Sequence, residues 1–135
     1  MSDELTFPDI GPHEDRELEL MLAGRKPLAM FTEISPIETG LIPEADFAPH
    51  VTSRRFIMSE TFERREKLPN DNRDLYLRRV IYALPPEEWR INAMLLVCEI
   101  ATGLRRWDEG LERVIGRLLG YEDHQIDIFV KKVAR

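Results

Sequence analysis

The spacing of apolar residues changes at Pro85-Pro86. Before this point, apolar residues in 54–62 and 74–84 recur at every second position, the period of a strand whose successive side chains point to opposite faces. After it, apolar residues recur three and four positions apart, which is typical of helices. A proline pair followed by Glu87 and Glu88 is a strong signal for the start of a helix. The sequence therefore predicts that the sheet lies before Pro85 and that the C-terminal half is helical.

Shorter signals complete the predicted order of elements. They predict a helix over residues 14–23, a strand over 27–34, a helical turn over 43–47, strands over 54–62 and 74–84, and helices that begin near residues 86, 108 and 122. We expect Pro49 to end the helical turn, Gly24, Gly103 and Gly120 to end helices, and Asp108 to be an N-cap. The fold class is therefore α+β: a small, mostly antiparallel sheet of about three strands packed against four or five helices.

Two features of the apolar pattern bear on packing. Residues 74–84 carry apolar side chains at both parities, which predicts a central strand or one covered on both faces. In the helix after Pro86, a stripe at helical spacing is expected to face the core. Its members are Trp89, Ala93, Leu96, Val97 and Ile100.

The chain has the length and composition of one globular domain. It has 135 residues, of which 43% are hydrophobic and 33% are charged. Pro8, Gly11 and Pro12 interrupt regular structure, so we expect residues 1–12 to form an extended N-terminal arm and residues 13–135 to form a single α+β domain.

Cysteine usage and the N-terminal sequence indicate the compartment. Cys98 is the single cysteine, so no intramolecular disulfide can form, and we expect it to be a small core residue. The acidic start lacks the features of a signal peptide, and no apolar run approaches the ~20 residues of a membrane span. We therefore expect a cytoplasmic protein with no membrane association.

Charge is distributed unevenly along the chain, whose formal net charge is −6. Residues 1–47 contain eleven acidic residues against three basic ones, whereas residues 48–79 contain eight basic residues against five acidic ones. The acidic third fits a partner protein with a basic surface, although a solvated face explains the same charges. The predicted protein-binding residues are Glu14, Glu17, Glu19 and Asp46, with Arg64 and Arg65 in the connection over residues 63–73 as a second contact.

The leading functional hypothesis is a non-enzymatic protein-interaction module, for example an inhibitor or an immunity-type protein. The sequence has no glycine-rich phosphate loop, no Gly-x-Ser-x-Gly elbow and no His-Glu-x-x-His motif. Its histidines also lack the spacing of a metal site, so no cofactor is predicted.

A small enzyme is the first alternative hypothesis. The candidates for its active site are His124, His13 and an acid such as Asp127 or Glu17, of which His124 and Asp127 share a helix face at i, i+3. These residues form an active site only if separate segments converge, and nothing in the spacing of His13, His50 and His124 indicates that they do.

Two further alternatives concern binding. Residues 54–82 combine arginines with Phe56, Phe62, Tyr76 and Tyr82, a composition found in single-strand nucleic-acid platforms, but the acidic net charge makes nucleic acid an improbable partner. A homodimer could instead form through a seam of Trp107, Phe129 and Val133, although core packing is the better explanation of these apolar residues. We expect Trp89 and Trp107 to be core or core-edge anchors rather than binding hot spots.

Overall fold

The structure is a computed structural model that describes residue 13, residues 15–104 and residues 106–133. Its elements are α1 (Glu17–Leu22), β1 (Leu28–Ser35), α2 (Glu44–Thr52), β2 (Ile57–Arg65), β3 (Leu75–Ala83), a 3₁₀ turn (Pro85–Glu87), α3 (Trp89–Leu104), α4 (Glu109–Leu119) and α5 (Asp123–Val133). The predicted α+β class, with a three-stranded sheet and a helical C-terminal half, is confirmed. The predicted arm over residues 1–12 lies outside the described residues.

The sheet is antiparallel throughout and has the strand order β1-β3-β2. β3 is central, as its apolar residues at both parities predict, because a central strand is covered on both faces. Its register places Val80 opposite Phe31 of β1 and Arg79 opposite Thr61 of β2. β2 is an edge strand of this sheet.

Helices cover both faces of the sheet. On one face, Leu28 and Ile81 pack with Met94 of α3 and Leu118 of α4. On the other face, Phe47 of α2 stacks on Tyr82 with 4.2 Å between the ring centroids. The two buried clusters lie on opposite faces of the sheet, so α1 and α2 lie on the opposite side from α3 and α4.

Local chemistry fixes several helix ends as the sequence predicts. The Asp108 carboxylate accepts a hydrogen bond from the Leu111 amide at 2.9 Å, which makes it the N-cap of α4. Gly120 follows α4 in the left-handed conformation at φ 92°, and Gly24 follows α1 at φ 74°.

Other boundaries differ from the predictions. The first helix begins at Glu17 because Asp15 adopts a left-handed φ of 65°. α2 continues through Pro49 to Thr52. The proline removes only one backbone hydrogen-bond donor, and Phe47 anchors the helix in the core. α3 passes through Gly103, and β2 extends to Arg65, so the connection to β3 is shorter than predicted.

The predicted core stripe of α3 is largely wrong. The side chains that face the core are Ile91, Met94, Val97 and Cys98. Trp89, Leu96 and Ile100 are instead 58%, 57% and 45% exposed. Because α3 is apolar on both sides, its periodicity fits either face, and contact with the sheet selects the face that becomes buried.

Among the described residues, none of the helices has the combination of length and apolar character that crossing a bilayer requires.

Candidate functional site

An acidic groove of about 400 Å³ lies between α1 and α2. Three carboxylates border it: Asp15, Glu17 and Asp46. The rest of its lining consists of Leu18, Phe31, Leu41, Pro43 and Phe47. Two of the predicted protein-binding residues, Glu17 and Asp46, are thus brought together from segments almost thirty positions apart in the sequence.

The positions of the carboxylates follow from local chemistry. Glu17 is the first residue of α1 and Asp46 lies in the first turn of α2, where negative charge is favourable at the positive end of the helix dipole. Asp15 belongs to the same acidic run as Glu17, and its left-handed backbone begins the turn into α1. Sequence reasoning missed Asp15, although the density of acids around it was a signal.

The floor of the acidic groove is apolar and held by the core. Phe47 is 1% exposed and packs between Tyr82 and Phe31, whose ring meets it edge-on at 5.5 Å. Leu41, in contrast, is 61% exposed and forms an apolar rim. The groove therefore combines negative charge with a surface suited to a hydrocarbon chain.

The carboxylates of the acidic groove form no ion pair with a described residue. Within the described part of the chain, no lysine, arginine or histidine forms an ion pair with Asp15, Glu17 or Asp46. Partial burial raises the pKa of Glu17, and the more distant positive charge of Lys26 opposes this rise. A cation that entered the groove would relieve this desolvation cost.

Neighbouring acids are neutralised within the protein. Arg78 of β3 donates hydrogen bonds to Glu33 at 3.1 Å, to Glu44 at 2.6 and 2.8 Å and to Glu60 at 2.6 Å. These bonds lower the pKa of Glu44 and raise that of Arg78. Because these acids are paired and those of the acidic groove are not, the groove is a distinct electrostatic feature of this face.

The other predicted protein-binding residues lie elsewhere. Glu14 is outside the described residues. Glu19 is exposed, pairs with Arg16 at 3.4 Å and does not belong to the groove lining. Arg64 and Arg65 are the last two residues of strand β2. The prediction that they belong to the connection over residues 63–73 is therefore wrong.

Arg64 is engaged near its own strand. It pairs with Asp74 at 2.9 Å and lies 5.9 Å from the ring of Tyr76. The structure therefore gives Arg64 a local role at the end of the sheet in addition to any contact with a partner.

The three histidines have separate surroundings. His13 stacks on Tyr121 at 4.1 Å, His50 lies 3.0 Å from Arg55, and the 69% exposed side chain of His124 lies 3.4 Å from Glu122. The described residues contain no group of three or more His, Cys, Asp or Glu side chains arranged to hold a metal ion.

Asp127, the suggested partner of His124, is engaged by another residue. Its carboxylate accepts a 2.7 Å hydrogen bond from Arg113, which lowers the pKa of Asp127. This ion pair joins α4 to α5, so it offers a structural explanation for an acid on that helix face.

Lys26 is a buried titratable residue that sequence reasoning missed. It is 2% exposed, and its Nζ donates hydrogen bonds to the Leu119 carbonyl at 2.6 Å and to His13 Nδ1 at 2.9 Å. Burial lowers the pKa of Lys26 to about 8, and burial beside Lys26 lowers that of His13 to about 4. The local sequence suggested only a cation after α1, because the contact with α4 is made 93 positions away.

The arginine and aromatic residues of 54–82 are divided between core and surface. Phe56 and Tyr82 are each 2% exposed, and Arg78 is committed to three acids. Phe62 remains 55% exposed and meets Tyr76 edge-on at 6.4 Å. Two of the four rings are therefore unable to stack on a base.

Cys98 is buried, as predicted for a small core residue, and burial raises the pKa of its thiol.

The chain matches no protein-family model, no curated protein and no solved structure. Within the described residues, its class is an α+β domain with a three-stranded antiparallel sheet, helices on both faces and an acidic groove on one of them.

Proposed function

We propose that this protein is a non-enzymatic interaction module whose acidic groove binds a basic segment of a partner protein. The observation that supports the proposal is the set of Asp15, Glu17 and Asp46, which lack a cationic partner among the described residues and surround an apolar floor.

An arginine or lysine side chain of the partner matches both parts of this site. Its hydrocarbon stem would lie on Phe31 and Leu41, and its charged group would reach the carboxylates of Glu17 and Asp46. Because Glu17 is partly withdrawn from water, its attraction to a cation is screened less than that of an exposed acid.

The charge of the wider surface supports the same partner. Residues 1–47 hold most of the acidic surplus, and such a field accelerates encounter with a basic protein and disfavours acidic ones. An inhibitor or immunity-type protein that covers a basic surface of its target is one form of this function.

A titration with an arginine- and lysine-rich peptide tests the proposal. We expect Glu17→Gln combined with Asp46→Asn to weaken binding at least tenfold in calorimetry, since Glu17 is partly buried and loss of a partly desolvated charge contact costs more than removal of rim charges. Affinity should also fall as salt is raised, because part of the attraction is screened.

The matched control is Glu19→Gln combined with Glu122→Gln. Like the first double variant it removes two negative charges, but from exposed positions outside the acidic groove. Affinity close to that of the unmodified protein is expected. Equal weakening by both double variants would mean that only net charge matters and would reject the groove as the binding site.

A further inference from the structure

Helix α3 exposes the large apolar side chains of one face, on which only the small Ala93 packs partly against the described core. The α3 stripe consists of Trp89, Ala93, Leu96, Ile100 and Gly103, which are spaced alternately four and three positions apart. Leu104, next to this stripe, is 37% exposed. The opposite face of the same helix already packs on the sheet through Met94 and Val97.

This exposure is large for a helix of this composition. A helix that is apolar on all sides is normally covered on all sides. The large side chains of the α3 stripe, with Leu104 and Trp107, expose roughly 500 Å², near the upper end of the largest apolar patches on monomeric proteins. Such a patch marks an interaction surface.

We propose that the α3 stripe packs antiparallel against the α3 stripe of a second copy of this chain. The alternation of three- and four-residue steps is the repeat that keeps the seam of a helix pair facing its partner. Its 16 residues give α3 a length of about 24 Å, enough for two heptads of contact.

Self-complementarity in side-chain size favours the antiparallel direction. A two-fold axis through the middle of α3, beside Leu96, places Trp89 opposite the Gly103–Leu104 end of the second copy. Ala93 then lies opposite Ile100. Trp89 and Ile100 thus each face a small or partly recessed side chain and Leu96 meets its own copy at the axis, whereas a parallel pair would place Trp89 on Trp89 and leave Ala93 facing Ala93.

Charge complementarity points to the same arrangement. Glu87 and Glu88 precede α3, and Arg106 follows it. An antiparallel pair brings the acidic end of one helix to the basic end of the other, while a parallel pair would bring like charges together. Glu88 and Arg106 are exposed, and neither forms an ion pair within the described part of the chain.

Trp89 is held in position before any partner arrives. The Arg90 guanidinium lies 4.8 Å from the centre of its ring. Arg90 is fixed in turn by Glu87 at 2.7 Å and by the Arg117 carbonyl of α4 at 2.9 Å. An ordered, exposed tryptophan loses little conformational entropy on binding, which is typical of residues that dominate an interface.

The available area suits a reversible dimer. A standard interface removes about 800 Å² per partner, and the α3 stripe together with Leu104 and Trp107 supplies more than half of that as apolar surface. The polar residues beside it, including Asn92, Glu99 and Arg106, are exposed and would complete the rim.

Sedimentation velocity across micromolar concentrations tests the proposal. We expect the unmodified protein to form a dimer, and Ile100→Glu to raise its dissociation constant at least tenfold. Ile128→Glu is the matched control, because Ile128 of α5 is the same residue type and is also 45% exposed. Both positions are exposed, and unchanged circular dichroism would verify folding.

The proposal fails if the unmodified protein stays monomeric at every concentration, or if both glutamate variants dissociate it equally. Neither result would bear on the acidic groove, which lies on the opposite side of the sheet and is tested with a peptide.

Engineered cysteines test the direction of the helices. Leu96→Cys lies near the two-fold axis and should form a disulfide with its copy under mild oxidation. Trp89→Cys lies seven residues away, so its copy would be about 20 Å distant and no disulfide should form. The unmodified protein, whose single cysteine Cys98 is buried, gives the background level of cross-linking. Cross-linking at both positions would reject the antiparallel pair.

Discussion

Lys26 keeps its amine out of water, and its hydrogen bonds explain how the fold tolerates this. The Leu119 carbonyl lies at the end of α4, where the helix dipole concentrates negative charge. His13 Nδ1 supplies a second acceptor, and Tyr121 provides a ring 5.2 Å from Nζ. One side chain therefore joins the segment before α1 to the turn between α4 and α5.

This environment gives the stability of the protein a predictable pH dependence. The pKa of Lys26 falls from 10.5 to about 8 on folding, so between these values the unfolded chain binds more protons than the folded one. Stability should therefore rise with pH over this window, by about 3 kcal/mol at most from this group.

The prediction is checked by urea unfolding of the protein and of Lys26→Met between pH 7.5 and 10. The stability difference between the two should grow with pH in favour of the unmodified protein, because the variant lacks the titrating amine. Groups away from Lys26 titrate equally in both proteins and cancel, and His13, which Lys26 contacts, has a pKa of about 4, below this window. A difference that does not change with pH would contradict the buried amine.

The junction between α4 and β1 depends on a close backbone approach. Gly120 has φ 92°, and a Cβ atom placed on it would lie 2.5 Å from Cδ of Pro27, a rigid ring at the start of β1. Two neighbouring residues thus contact the end of α4: Lys26 by a hydrogen bond to the Leu119 carbonyl, and Pro27 by close packing of its ring against Gly120.

We expect Gly120→Ala to destabilise the protein by about 2–4 kcal/mol, since it adds left-handed strain to a steric clash. Gly103→Ala is the control: no heavy atom lies within 4 Å of the added Cβ, and φ there is not positive. That substitution should stabilise α3 by about 0.5–1 kcal/mol. Because Gly103 also belongs to the α3 stripe, both variants are measured by thermal unfolding at concentrations that keep the protein monomeric, and equal effects would contradict the tight junction.

At the scale of the whole molecule, Arg78 ties four elements together. It lies on the central strand β3 and bonds Glu33 of β1, Glu44 of α2 and Glu60 of β2. Glu33 is 7% exposed, so its charge depends on this arginine for compensation. Arg78 thereby fixes α2, one wall of the acidic groove, to all three strands.

Arg78→Met should cost about 3–5 kcal/mol of stability, because it leaves a buried carboxylate without a counter-charge. Adding Glu33→Met should recover part of this loss, since a paired apolar replacement removes the orphaned charge. Denaturant unfolding of the single and double variants makes the comparison. A double variant that is less stable than Arg78→Met would show that Glu33 is not the group left unsatisfied.

The two proposed surfaces lie on opposite sides of the sheet. α1 and α2 form the acidic groove on one side, and α3 carries its stripe on the other. A dimer through α3 would therefore leave both grooves open, and two grooves in one particle would increase the avidity for a partner with repeated basic segments.

The sequence by itself determined the class of fold, the central strand and several helix ends. Alternation at both parities requires cover on both faces of β3, Asp108 caps a helix by local hydrogen bonding, and Gly120 tolerates a positive φ that other residues resist. The acids at the starts of α1 and α2 were likewise visible, because helix dipoles favour them there.

Only the tertiary structure decided which of these features act together. The sheet, and not the periodicity, selected the buried face of α3, because both faces of that helix are apolar. Chain folding also brought Glu17 to Asp46, Arg78 to Glu33 and Lys26 to Leu119. Contacts between distant segments leave no local pattern in the sequence, since each partner has an ordinary role in its own element.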